Sequence, residues 1–378
     1  MTTATETPTP TPNDASGDPR RTASVIGGGS WGTALAHILG THGYETLLWM
    51  RNEDTVLEVN TQRTNRRYLG DAAIDPGVEA TTDLRRAALH AELLLIVVPS
   101  KAFREVAFEL GNYVTGDQIL VSATKGLQED GMKRMSEILR EETCCRKIGA
   151  LSGPNLAKEV LNGHPTSTVV ASAFEEVIAK SERMLSGPRF RLYGNFDIVG
   201  VELAGALKNI YAIAGGVAAG LGFAANTQSA LITRGLAEMG RFGTRFGADP
   251  STFQGLAGVG DMIATCTSTL SRNHTVGRLL AEGGNLDDIV ASLGMVAEGV
   301  DTTRVVHQFA RRERIYMPIA EAVHRMLFEG ATPESALTTL MERASRYEDL
   351  DSLIHRGATV SESVVDTARA AAVSRRTD

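Results

Sequence analysis

The sequence predicts an α/β protein: an N-terminal parallel-sheet domain followed by an all-helical C-terminal domain. Two observations carry this. From Thr22 to about Asp197, short apolar runs alternate with longer mixed segments, the pattern of strands joined by crossover helices. Beyond Asp197 the strand-like runs vanish, and long stretches rich in Ala, Leu and Gly take over.

Taken in order, Ala23 to Ile26 is a short strand ending in glycines, and Thr33 to Leu39 is a helix. Glu45 to Met50 is a second strand. Leu93 to Val98 (LLLIVV) is an unbroken apolar run stopped by Pro99, as expected of a strand buried on both faces. Ile119–Ala123 and Thr168–Ala171 read the same way, and a further strand precedes Ser152. Helices are predicted at Val199–Gly220, Thr227–Phe246, Asn285–Ser292, Thr302–Arg311, Pro318–Phe328 and Pro333–Arg343. Four segments result: a disordered tail over 1–20, a parallel-sheet domain over 21–197, an all-helical domain over 198–350 and a polar extension over 351–378.

Composition narrows the function. Among the 378 residues, acids outnumber bases for a net charge of −7, which argues against a nucleic-acid binder. The three cysteines, Cys144, Cys145 and Cys266, have neither ligand spacing nor a disulfide framework, so a reduced, cytoplasmic chain is expected. Cys266 reads as a packed small residue. The tail MTTATETPTPTPNDASGDPR lacks the apolar stretch of a secretory signal. The most apolar long segment, Val199–Gly222, carries Glu202 and Lys208, so it is read as a buried helix rather than a membrane span. Eight scattered histidines predict no metal site.

Gly27-Gly28-Gly29-Ser30-Trp31-Gly32 fits G-x-G-x-x-G directly after a strand and at the start of a helix. In a Rossmann-type domain Gly27 makes the tight turn, Gly29 admits a pyrophosphate, and Gly32 lets the helix pack close to the sheet. The same residues also fit G-x-S-x-G, the nucleophile elbow of an α/β-hydrolase. That reading needs an oxyanion N–H from a loop after an earlier strand, and only one strand precedes Ser30's helix. The second strand ends at Arg51 where a strict NAD site would place an acid. Arg51 therefore suits a 2′-phosphate, with a solvated surface arginine as the plain alternative and Glu53 and Asp54 just beyond.

Lys125, in Ala123-Thr124-Lys125-Gly126, follows a strand, where ligands gather in open sheets. Ser152-Gly153-Pro154-Asn155 follows another and is either a binding turn or a plain one. Lys208 is set mid-helix among small and apolar residues. A buried ammonium needs a partner or a polar cleft, and desolvation lowers its pKa toward proton transfer. Asp261, in Gly258-Val259-Gly260-Asp261, is a ligand or a helix cap. Ser271-Arg272-Asn273 is a loop or a phosphate clasp.

As an ordered set, GGGSWGTALA, VVPS (Val97–Ser100), ATKG, SGPN, ALKN (Ala206–Asn209), TRGLAEM (Thr233–Met239), GVGD, TCTS (Thr265–Ser268), SRN and VAEG (Val296–Gly299) resemble the bacterial NAD(P)-dependent sn-glycerol-3-phosphate dehydrogenase family over roughly residues 22 to 345. The resemblance implies reversible reduction of dihydroxyacetone phosphate by NADPH or NADH, supplying glycerophospholipid synthesis. It implies Lys208 as proton donor and acceptor. Lys125, Gly153, Asn155, Lys208, Asp261, Ser271, Arg272 and Asn273 become substrate contacts. Gly27, Gly29, Ser30, Trp31, Gly32, Arg51, Lys125, Ala157, Arg272, Val296 and Glu298 become cofactor contacts. The chain departs from the family at Gly28, often Ala; at Asn155, often Thr or Ser; and at Gly70, where Tyr-Leu-Pro is common. Its expected partner is a small phosphorylated substrate, with no nucleic acid and no membrane insertion, and a homodimer is compatible with it. Two other functions remain open at this point: a related two-domain dehydrogenase for another small acid, and a non-catalytic NADPH sensor.

Overall fold

The computed structural model describes residues 21–293 and 297–342. The tail expected over 1–20 and the extension expected over 351–378 lie outside the described residues. Contacts divide the chain into a large unit ending at Ala336 and a second from Leu337 onward.

Eight strands form one sheet: β1 (Thr22–Ile26), β2 (Glu45–Trp49), β3 (Val78–Thr81), β4 (Leu93–Ile96), β5 (Ile119–Ser122), β6 (Lys147–Ser152), β7 (Thr166–Ala171) and β8 (Phe190–Asn195). Connecting them are α1 (Ser30–Thr41), α2 (Glu53–Gln62), α3 (Arg66–Leu69), α4 (Leu84–His90), α5 (Ser100–Gly111), α6 (Met135–Glu142), α7 (Ala157–Leu161) and α8 (Glu175–Leu185). The order across the sheet is β3-β2-β1-β4-β5-β6-β7-β8. The chain runs outward from β1 to β3, then crosses back to lay β4 on the other side of β1. A crevice opens at that reversal, beyond the carboxyl ends of the strands.

Leu93–Ile96 and Ile119–Val121 are fully buried, because helices cover both faces of a parallel sheet. The parallel sheet expected from the alternating pattern is present, with one pair the pattern did not specify: β6 and β7 run antiparallel, with Leu151 opposite Val170. The short α7 turns the chain back on itself between them. β3 and β8 were not foreseen. β3 is four residues long with Glu79 exposed, and β8 is an edge strand exposing Arg191 and Tyr193, so neither makes an apolar run.

The helical part comprises α9 (Ile198–Gly220), α10 (Ala225–Arg245), α11 (Asp261–Thr267), α12 (Arg272–Ala281), α13 (Leu286–Leu293), α14 (Glu298–Glu313), α15 (Pro318–Phe328) and α16 (Pro333–Met341). Its hub is α9, buried from Gly200 to Ala218 and packed against α10, α11, α12, α14 and α15. Asp197 starts it: the carboxylate accepts from Gly200 N at 2.8 Å. Although α9 is long and apolar enough to cross a membrane by composition, most of it is enclosed by protein.

Glycines let α9 and α12 meet. A Cβ on Gly216 would lie 1.9 Å from the His274 carbonyl oxygen, and one on Gly277 would lie 1.9 Å from that of Ile213. This backbone-to-backbone approach carries the start of α12, with Ser271 and Arg272, up to Lys208.

Candidate active site

The glycine loop leaves β1 with Gly27 at φ +126°, and the Gly27 amide donates to the Trp49 carbonyl at 3.0 Å. A Cβ on Gly27 would sit 2.6 Å from the Val97 oxygen, and one on Gly32 would sit 1.8 Å from the Gly27 oxygen. Only glycine satisfies both. At Gly29 nothing lies within 4 Å of the Cβ direction, so the loop is open toward the crevice there. Gly28 has a local reason: a Cβ would fall 2.7 Å from the Met50 Cβ, so Met50 fills the space an alanine would need.

A cleft of 620 Å³ runs from this loop to α9. Gly27, Gly29, Ser30, Trp31, Arg51, Lys125, Asn155, Lys208, Asp261, Ser271, Arg272, Asn273 and Glu298 all line it. Gly32, Gly153 and Ala157 do not, and Val296 lies outside the described residues. Gly32 and Gly153 act from beneath, through packing and a carbonyl. Among the described residues no histidine lines the cleft with Ser30, so the hydrolase reading finds no general base there.

At the helical end Asp261 binds both lysines. Its Oδ2 is 2.5 Å from Lys125 Nζ and its Oδ1 is 3.3 Å from Lys208 Nζ. Lys125 also donates to the Gly153 carbonyl at 2.7 Å, and Lys208 donates to Thr265 Oγ1 at 2.6 Å. The Thr265 hydroxyl in turn donates to Asp261 Oδ1 at 3.1 Å. Lys208 is 7 % exposed and Asp261 1 %. Burial pushes the Lys208 ammonium down to about 8; Asp261 opposes the shift and Lys125 adds to it. This amine can hold or release a proton near neutral pH.

Arg272 stays accessible to solvent at the first turn of α12, yet the enclosing protein lowers its pKa, with Glu298 and Tyr68 opposing. Ser271 caps that helix by accepting from His274 N at 3.3 Å, which leaves its hydroxyl proton for another acceptor. Asn273 is braced rather than free: it donates to Asn209 Oδ1 at 2.9 Å and accepts from Gly299 N at 3.0 Å. Glu298 accepts from the Ser100 amide at 3.0 Å and from its hydroxyl, tying α14 to the start of α5. Burial raises the Glu298 pKa, and the Ser100 bonds oppose this.

Asn155 departs from the family pattern in a defined way. Thr168 commits its hydroxyl proton to the Ser152 carbonyl at 2.9 Å, so toward Asn155 it can only accept. The Asn155 amide nitrogen therefore faces Thr168 at 2.9 Å, and its Oδ1 is buried without a partner among the described residues. Gly70 has φ +65°, which proline cannot adopt, so the turn after α3 differs from a Tyr-Leu-Pro turn.

At the other end Arg51 is more than half exposed and pairs with Glu105 at 3.2 Å. Trp31 packs on Phe190, and its indole N–H is buried without a partner among the described residues. Buried unpaired donors and acceptors at a cleft wall fit an occupant that brings hydrogen-bonding groups. Cys266 is fully buried and its thiol is pushed up to about 12 by burial, so it is an inert packing group.

Sequence reasoning assigned no role to Thr265, Asn209 or Tyr68, though all are at the cleft. Thr265 was recoverable: it follows Asp261 by four residues, one turn along a helix. Nothing local marks Tyr68, which reaches the site only through the fold.

The sequence matches the family models for the NAD-dependent glycerol-3-phosphate dehydrogenase N-terminus over residues 22–178 and C-terminus over 197–338. A glycerol-3-phosphate dehydrogenase (NAD(P)+) of Azotobacter vinelandii is 47 % identical over 322 residues, covering 85 % of this chain and 94 % of that protein. One from Macrococcus caseolyticus is 42 % identical, covering 86 % and 99 %. The crystal structure of a glycerol-3-phosphate dehydrogenase from Coxiella burnetii superposes with a TM-score of 0.82 at 38 % identity, covering 86 % of this chain and 99 % of that one.

Proposed function

The chain belongs to the NAD-dependent glycerol-3-phosphate dehydrogenase family, and from that premise we propose that Lys208 is the proton donor for the reaction and that the α12 end of the cleft holds the substrate phosphate. The protein is an NAD(P)-dependent oxidoreductase that interconverts dihydroxyacetone phosphate and sn-glycerol 3-phosphate. Family membership displaces the other dehydrogenase and the sensor.

One observation carries the assignment of Lys208: a nearly buried ammonium at the cleft wall whose pKa is held near 8. The nicotinamide, when bound, supplies the hydride. Lys208 Nζ gives a proton to the ketone oxygen as it gains negative charge, and takes it back from the alcohol in reverse. Asp261 and Thr265 hold the ammonium in place. Lys125, Arg272, the Ser271 hydroxyl and the first turn of α12 bind the phosphate by charge and oriented donors. The unpartnered Oδ1 of Asn155 accepts from a ligand donor.

Gly27, Gly29, Ser30 and Trp31 bind the dinucleotide, with Gly32 and Ala157 supporting them, Glu298 near Arg272 and Val296 assigned by position alone. Arg51 takes the 2′-phosphate after releasing Glu105. Arg51→Ala should weaken NADPH by about 1–3 kcal/mol and spare NADH, as read from the two KM values. Equal losses for both cofactors would remove Arg51 from 2′-phosphate recognition.

The domains divide at Asp197, the setting is cytoplasmic, and the product feeds glycerophospholipid synthesis. The central test compares dihydroxyacetone phosphate with dihydroxyacetone while following NADPH and NADH oxidation. Turnover should depend on the phosphate, and equal rates with both ketones would overturn the phosphate pocket.

A further inference from the structure

We propose that Asn65 is the positioning residue that aims the glycine loop at the cofactor pyrophosphate. The inference rests on the cofactor reading above. Asn65 lies between α2 and α3, outside the glycine motif, and is 0 % exposed. Its amide nitrogen donates to the Gly28 carbonyl at 3.0 Å and to Thr33 Oγ1 at 3.0 Å. A carbonyl can only accept, so this contact fixes which end of the Asn65 amide faces the loop.

The consequence follows from the planarity of the peptide. In a trans peptide the C=O and the next N–H point in opposite directions, and the described residues contain no cis bond. Holding the Gly28 carbonyl inward therefore turns the Gly29 N–H outward. Gly29 lines the cleft, and nothing lies within 4 Å of where its Cβ would stand, so the loop is uncrowded at this residue. An N–H there, beside the free amides at the start of α1, is a donor for a phosphate oxygen. Without the clamp a Gly-Gly-Gly stretch has wide conformational freedom, and the peptide could rotate its carbonyl toward the anion.

The other atoms of Asn65 point the same way. Its backbone carbonyl accepts from Tyr68 N at 3.1 Å and Leu69 N at 2.9 Å, so the residue also starts the turn that brings Tyr68 to the cleft. Its Oδ1 is buried with no partner among the described residues. A buried unpaired acceptor costs stability, and an apolar residue of similar size would avoid that cost. The amide is explained by what it does to the loop.

The test uses the full-length enzyme with ADP-ribose, which carries the pyrophosphate, and adenosine 2′-phosphate, which does not, both as inhibitors competing with NADPH. Asn65→Asp keeps the shape and loses the donor. Its inhibition constant for ADP-ribose should rise about tenfold, the loss expected of one positioned hydrogen bond. That for adenosine 2′-phosphate should hold, and kcat at saturating NADPH should stay within about threefold. If the new carboxylate prevents folding, Asn65→Ser, too short to reach Gly28, carries the same expectation. Unchanged ADP-ribose inhibition in a folded variant overturns the inference and leaves the cofactor reading intact. Equal losses for both inhibitors, or a lowered Tm with unchanged constants, assign Asn65 a purely structural role and also overturn it. Failure of the wild-type enzyme to bind ADP-ribose overturns the cofactor reading, and this inference with it.

Discussion

Lys208 shows how a single side chain acquires chemistry from its surroundings. Burial lowers its pKa to about 8, while Asp261 at 3.3 Å keeps it from falling further. As a proton donor it must be charged for reduction, so kcat for reduction should fall as pH rises through about 8, and kcat for oxidation should rise. Lys208→Ala should lower kcat by about 10²–10⁴-fold with NADPH binding retained, measured by steady-state kinetics and cofactor titration. Arg at 208 should not rescue, because guanidinium does not release its proton. Asp261→Asn removes the group that raises the pKa, so the falling limb should move to lower pH; movement to higher pH would contradict the geometry. Gly28 is tied to Met50 in the same residue-by-residue way. Gly28→Ala should cost about 1–3 kcal/mol in thermal unfolding through overpacking. Combined with Met50→Gly it should cost less than the two single changes summed, because the Met50 Cε and Cβ that a Gly28 methyl would meet at 2.5 and 2.7 Å are both gone.

Among the elements, α9 is long, apolar and featureless by pattern, yet each of its glycines meets a particular neighbour. Gly205 faces Ser152, Gly215 faces Cys266 and Gly216 faces the backbone of α12. Since main-chain carbonyls cannot move aside as a side chain can, Gly216→Ala and Gly277→Ala should each cost about 3 kcal/mol, the upper range for overpacking. Gly240 in α10 is the control: its Cβ direction is open, so Gly240→Ala should stabilise by about 0.5–1 kcal/mol through helix propensity. Thermal unfolding of the three variants checks this, and equal losses at 216 and 240 would refute the close-approach account.

Over the whole molecule, charge is distributed against the average. The chain carries −7, but Lys125, Lys208, Arg272 and Arg51 converge on one cleft holding two acids, Asp261 and Glu298. A local positive well in an acidic protein attracts a phosphorylated ketone and leaves the outer surface unsuited to polyanions. Raising ionic strength from about 0.05 to 0.5 M shortens the screening length from about 14 to 4 Å, so KM for dihydroxyacetone phosphate should rise severalfold with kcat little changed. A KM independent of salt would mean that the phosphate is not held by charge.

The fold class was legible because its causes are local. Apolar runs such as Leu93–Ile96 and the Gly27–Gly32 spacing report strands and a tight turn through neighbouring residues alone. Lys208 was legible as an anomaly, since a charge in an apolar helix demands an explanation wherever it sits. The missed features share the opposite cause. β3 interrupts its apolar positions with the exposed Glu79 and β8 with the exposed Arg191 and Tyr193, so pairing rather than an apolar run makes them strands. The antiparallel turn at β7 depends on how α7 reverses the chain. Asn65 reads as an ordinary turn residue until folding brings it 37 positions back to Gly28. The sequence by itself determined the alternating sheet half, the change to an all-helical half and the chemical identity of the site groups, because periodicity and side-chain chemistry belong to the chain. Only the tertiary structure decided which lysine meets which carboxylate, and which way a glycine peptide faces, because distances across 28 to 136 positions are set by packing.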